Sequence, residues 1–133
     1  MQYLYYFANT SLVLRVLHYL SRSNNGQFSH QLESVTVIYL TDRWVVRIKV
    51  KQPLSLQQDL NFVAFLRENG SAYSTTARLE KVVTSLESGV GITEVMNRYH
   101  LVVVSHGALN AEDIEEFRST FVQGLGYCPP SLV

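Results

Sequence analysis

The apolar positions change period several times along the chain, and each change marks a boundary. Gln2–Ala8 is rich in Tyr and Phe, which suit a half-buried pleated surface, and predicts a first strand. Asn9-Thr10-Ser11 then offers three side-chain oxygens able to accept the orphan N–H groups of a helix start. Behind them Leu12, Val13, Val16, Leu17 and Leu20 recur at helical spacing, and Ser23-Asn24-Asn25-Gly26 ends the run. Val35–Leu40 and Trp44–Lys51 predict two strands joined by Thr41-Asp42-Arg43 as a hairpin. The second alternates cleanly: Trp44, Val46, Ile48 and Val50 point one way, Val45, Arg47, Lys49 and Lys51 the other.

Gln52-Pro53 ends this strand, because proline has no N–H for the ladder. Ser55 followed by Gln58 is a capping box, opening a helix with Leu56, Leu60, Val63 and Leu66, closed by Asn69-Gly70. Thr75–Glu87 repeats the helical pattern through Leu79, Val82, Val83 and Leu86, with Gly89 just beyond it. One helical turn follows from Thr93. Tyr99–Ser105 is nearly continuous apolar sequence, as expected of a strand buried on both faces. Asn110 and Asp113 cap a last helix with Ile114, Phe117, Phe121 and Val122, ended by Gly124.

This order predicts an α+β domain over residues 1–126 with an irregular tail at 127–133. The expected arrangement is a ferredoxin-like (split β-α-β) antiparallel sheet with its helices on one face. An extra helix between strands 3 and 4 and a C-terminal helix add to that plan. A three-layer sandwich, with helices on both faces, is the competing architecture.

Composition narrows the function classes. A chain of 133 residues fills one domain and buries enough surface to fold without metal or disulfide. One cysteine excludes a disulfide framework and a cysteine-based zinc cluster. Eleven basic and 11 acidic side chains cancel, which argues against a protein that coats nucleic acid by charge. The balance hides two poles: residues 1–67 carry seven basic and three acidic side chains, residues 68–133 four and eight. The apolar stretch Tyr3–Leu20 lacks the preceding basic residue of a signal peptide and holds Arg15 and His18, so no membrane segment is expected. A cytoplasmic location is the resulting expectation.

The strong catalytic signatures are missing. The chain has no GxxxxGK[ST], no HExxH, no CxxC and no GxSxG, and Gly124-Leu125-Gly126 follows a helix rather than a strand. Neither a catalytic residue nor a cofactor is indicated. Metal ligation is not expected either, because His100 and His106 on one strand would stand about 20 Å apart. Cys128 beside Pro129 reads as a tail thiol.

Two places can carry a site. His106-Gly107, at the end of the last strand and before the helix capped by Asn110, lies where backbone N–H groups and a titratable imidazole favour a small ligand. The bland reading is a turn histidine with Gly107 supplying backbone freedom. The other place is the polar side of the hairpin, where Arg47, Lys49 and Lys51 are expected beside Tyr3 and Tyr5, or Tyr6 on the other phase. Basic residues interleaved with aromatics can bind single-stranded nucleic acid, although no RNA-recognition consensus occurs. With Glu112, Glu115 and Glu116, the same basic face can also meet a second protein, in a homodimer or small homo-oligomer. The sequence therefore favours a regulatory or assembly module that binds itself and another protein. The alternatives are a small-molecule sensor or small enzyme near His106, Gly107 and Asn110, and a single-strand nucleic-acid binder.

Overall fold

The computed structural model describes residues 2–21, 32–40 and 43–107. The elements in chain order are β1 (Gln2–Phe7), α1 (Thr10–Ser21), β2 (Leu32–Leu40), β3 (Arg43–Val50) and α2 (Leu56–Asn69). They continue with β4 (Ser71–Ala72), α3 (Ala77–Glu87), α4 (Ile92–Tyr99) and β5 (Val102–Gly107). The five strands form one sheet in the order β4-β1-β3-β2-β5, and every adjacent pair is antiparallel.

Local signals explain where the elements start. Asn9 caps α1 by accepting from the Leu12 amide at 3.0 Å. At α2 the capping box is complete: Ser55 Oγ accepts from the Gln58 amide and Gln58 Oε1 accepts from the Ser55 amide. Thr76 caps α3 through the Leu79 amide. The α4 C-terminus is satisfied from outside, because the Arg78 guanidinium on α3 donates to the carbonyls of Tyr99 and His100. A cation at that end also complements the helix dipole.

The helices lie on both faces of the sheet, which corrects the one-face expectation. On the first face, Tyr3, Tyr5, Phe7, Val35, Val37, Trp44, Val46, Ile48 and Val50 pack against Val13, Val16, Leu17 and Leu20 of α1 and Phe62 and Leu66 of α2. On the second, Ile38, Val45 and Val103 pack against Leu79, Val82 and Leu86 of α3 and Val95 of α4. The reason is the alternation itself. Val45 and Ile38 are as apolar as their first-face neighbours, so the second face needs its own cover, and the α3 stripe supplies it.

The sequence misplaces other details. Ser71–Ala72, too short and too polar to show a strand pattern, is β4, pairing with Tyr5 and Tyr6. The extra helices therefore follow the fourth strand, and the apolar strand becomes the fifth. That strand begins at Val102, because Tyr99 ends α4 and His100 takes the left-handed conformation at φ 56° as its cap. It stands at the end of the sheet order beside β2, with only Val103 buried, instead of in the interior. In α2 the inward residues are Phe62 and Leu66, while Leu56 and Leu60 face outward. Gly70, just after α2, lies so close to β1 that a Cβ there would meet the Tyr6 carbonyl oxygen at 2.4 Å and the Phe7 ring at 2.6 Å. The hairpin turn at Thr41-Asp42, the C-terminal helix and the tail lie outside the described residues.

Candidate functional site

The site grows from one row of cross-strand neighbours. Leu4 of β1 pairs with Arg47 of β3, Arg47 with Thr36 of β2, and Thr36 with His106 of β5. Residues directly opposite in antiparallel strands point to the same side, so Arg47, Thr36 and His106 share the second face. His106 reaches that side through an irregularity. Ile38 pairs with Val103 and Val37 with Ser105, so one residue of β5 is inserted between them, a β-bulge that re-aims the side chains beyond it. Gly107 comes next with φ 132°, a conformation that side chains other than glycine rarely adopt.

Along this row the polar groups satisfy one another. Thr36 Oγ1 lies 2.7 Å from His106 Nδ1. Burial, and then the charge of Arg47, hold the imidazole below its ordinary pKa, while the charge of Glu87 works against them. Arg47 is itself buried. Its Nε donates to Gln2 Oε1 at 2.6 Å and its Nη2 pairs with Glu87 Oε1 at 2.6 Å. Lys49, two residues along the same face, shares Glu87 at 3.0 Å and reaches Glu33 at 3.1 Å. Burial alone would raise the Glu87 pKa. The hydrogen bond from Lys49 and the charge of Arg47 outweigh it and hold the carboxyl below its usual range. The hydrogen bonds to Glu87 and Glu33 hold Lys49 above its own.

Two features of this network bear on binding. Arg47 Nη1 is buried with no hydrogen-bond partner, the kind of orphan donor that native structures rarely keep. Arg47 also lines a cavity of about 270 Å³ with Gln2, Leu4, Thr75, Leu79, Glu80, Val83, Thr84 and Glu87.

The structure rearranges the residues singled out from sequence. Arg47 and Lys49 do share a face, but α3 packs on it, and Glu87 pairs with both while Glu33 supplies the second carboxylate through Lys49. Tyr3 and Tyr5 are buried on the opposite face, since Tyr3 pairs with Ile48 and Tyr5 with Val46. This corrects their expected place beside the basic residues. The aromatic on the basic side is Tyr6, over which the Arg43 guanidinium stands at 4.6 Å. Tyr3 instead ties β1 to α2, its hydroxyl donating to Asp59 Oδ1 at 2.6 Å and its ring meeting Phe62 edge-on. Burial first, and then the hydrogen bond and charge of Asp59, push the Tyr3 phenol well above its ordinary pKa. Lys51 lies past the end of β3 and is exposed. His100 is on a helix end, not on the strand of His106. Asn110, Glu112, Glu115 and Glu116 lie outside the described residues.

Glu87 is the residue that sequence reasoning missed. Its only signal was its place at the C-terminal end of a helical pattern, where a carboxylate opposes the helix dipole and needs another reason to be there. Among the described residues no group of three or more His, Cys, Asp or Glu side chains could hold a metal ion, and no helix is long and apolar enough to cross a membrane.

No family model matches the chain, and no curated protein matches it either. Among solved structures it is similar to the crystal structure of the C-terminal domain of YpbH, with a TM-score of 0.50 and 13% identity. The likeness covers 90% of this chain and 97% of that one, and it speaks to the fold alone.

Proposed function

We propose that this α+β domain is a protein-binding module, regulatory or assembling in role, that takes an apolar helical segment of another protein on the outer face of α2. The observation that carries the reading is a stripe on that face. Leu56, Leu60, Val63 and Arg67 recur at i, i+4, i+7 and i+11, which aligns them along one side of the helix. Leu56 is 77% exposed and Leu60 55%, and both are large apolar side chains left in water although α2 also has a buried side. Val63 is half-buried between the stripe and the core. Arg67, exposed at the C-terminal end, makes no ion pair among the described residues.

Single exposed leucines need no explanation, but two in register beside a third apolar residue make a ridge that an amphipathic partner helix can meet. Fully burying a leucine contributes about 1.5–3 kcal/mol, and the exposed part of each of these two side chains adds its share of that on contact. Arg67 selects a partner with a carboxylate at the matching end. We read the fold more finely as a split β-α-β unit, β1 to β4, extended by α3, α4 and β5. The order β4-β1-β3-β2 and the two crossover helices on one face support that reading. A cytoplasmic setting for the module accords with its single cysteine.

The test uses the full chain and a synthetic amphipathic helix carrying Leu at i and i+4 and a terminal Glu. Amide shifts should map to Leu56, Leu60, Val63 and Arg67, and both Leu60→Lys and Arg67→Glu should abolish them. Shifts elsewhere, or binding indifferent to both substitutions, overturn the reading. A concentration-dependent dimer broken by Leu60→Lys would give the face to a second copy and likewise overturn it.

A further inference from the structure

We propose that the groove between α1 and α2 is a binding site for a small aromatic carboxylate. It stands independently of the outer ridge of α2, because none of the ridge residues lines it. Ser11, Leu14, Arg15, His18 and Tyr19 follow one another at i, i+3, i+4, i+7 and i+8 and so line one side of α1. Phe65 of α2 completes the lining, around a volume of about 470 Å³. A space of that size takes a small organic molecule.

An apolar part and a charged part of the lining stand side by side. Tyr19 and Phe65, both half-buried, lie nearly parallel with ring centres 4.1 Å apart, and Leu14 adds an aliphatic side chain. A ligand ring gains apolar contact there. Arg15 is exposed on α1 but positioned from α2. Its Nη1 donates to Asn69 Oδ1 at 3.0 Å, and the buried Asn69 is held in turn by donating to the Phe65 carbonyl at 2.8 Å. The Nε and Nη2 edge of the guanidinium is left with no hydrogen bond among the described residues. That edge carries two parallel N–H groups, the fork that pairs with both oxygens of a carboxylate.

Charge and spacing decide the ligand class. Arg15 makes no ion pair among the described residues, and no Asp or Glu lines the groove. An anion therefore meets a cation that is not already neutralised, unlike Arg47 with its Glu87. Arg15 and Tyr19 are one helical turn apart, about 6 Å along α1, a span that a carboxylate and a ring joined by one carbon can bridge.

The test is a titration of the full chain with phenylacetate, followed by the amide resonances of Leu14, Arg15, His18, Tyr19 and Phe65. Saturable shifts with a Kd of about 1 mM are expected for a ligand this small. Phenylacetamide, the neutral isostere, should bind the wild type about tenfold more weakly, because it loses the charged fork. Acetate, which has no ring, should give no saturable shift. Arg15→Gln, with its thermal midpoint measured to show that it folds, should weaken phenylacetate about tenfold as well. If that variant does not fold, the comparison of phenylacetate with phenylacetamide on the wild type decides alone. No saturable shift at these residues, phenylacetamide or acetate binding as tightly as phenylacetate, or undiminished binding by a folded Arg15→Gln protein would each overturn the proposal.

Discussion

The two faces of the sheet are built from the same strands and solve different problems. The first face is mainly apolar, with one partly buried polar contact between its helices, where Arg15 donates to Asn69 at 3.0 Å. Its aromatic residues stack and meet edge-on, with Tyr19 parallel to Phe65 at 4.1 Å and to Phe62 at 5.9 Å, and a further polar link runs from Tyr3 to Asp59. The second face mixes an apolar half, around Val45, Ile38 and Val82, with a polar half through Arg47, Thr36 and His106. Burying apolar surface is non-directional, so the first face tolerates many arrangements of similar volume. Burying a guanidinium is not, because each lost partner leaves a charge without solvation. Stability therefore comes mainly from the first face, while specificity of position comes from the second.

Substitutions can break that contrast, starting with the first face. Phe62→Ala should cost about 3–5 kcal/mol, because it leaves a cavity among Tyr3, Tyr19 and Leu66. Urea denaturation measures it, and a loss below about 1 kcal/mol would mean that this core collapses to fill the gap. Next comes Glu87→Gln, which strands Arg47 and should cost about 2–3 kcal/mol, less than a fully buried pair because Glu87 is partly exposed. The paired replacement Arg47→Met with Glu87→Leu should recover most of that loss in the same measurement. If the double variant is no more stable than Glu87→Gln, the charges do more than satisfy each other.

A smaller effect should appear with pH. The folded pKa of His106 lies below the ordinary value of 6.5, so the unfolded chain binds the proton more readily. The stability contributed by the neutral imidazole is fully present above that ordinary value and is lost as pH falls through it toward the folded pKa. The urea midpoint of the wild type should decline between about pH 7 and pH 5 more steeply than that of His106→Gln. Superimposed profiles would show that the row does not sense its histidine. Smallest of all, Leu60→Lys on the outer side of α2 should change stability by no more than about 0.5 kcal/mol, which calorimetry can confirm.

The contrast also explains what the chain reveals before it folds. First-face elements announce themselves locally: the capping box at Ser55 and Gln58, the cap at Asn9, and the alternation of Trp44, Val46, Ile48 and Val50 all act within a few residues. So does the α3 stripe of Leu79, Val82, Val83 and Leu86. Its destination does not, because nothing near Arg47 says that the carboxylate it needs arrives with Glu87, 40 positions later. Without that partner, a strand face with Arg47 and Lys49 reads as solvent-facing. His106 is a similar case: its side of the sheet depends on a bulge near Val104 and Ser105, and an apolar run conceals such an irregularity. The leucines of α2 fail for the opposite reason. Leu56 and Leu60 fit a helical stripe with Val63, but Phe62 and Leu66 fit a second one, and only packing against Tyr3 and Tyr19 chooses between them.

The close approach at Gly70 has a consequence for how the chain can vary. A side chain there would have to push against the Tyr6 carbonyl and the Phe7 ring, both held at the end of β1, which pairs with β3 and β4. The end of α2 would tilt outward instead, carrying its outer ridge with it. It would also loosen the bond from the Tyr73 amide to the Leu4 carbonyl, which begins the path toward α3. The added half of the domain is thus fastened to the first half at a joint with less clearance than one methyl group. Drift in sequence can reshape either half, but it has almost no room at the rivet between them.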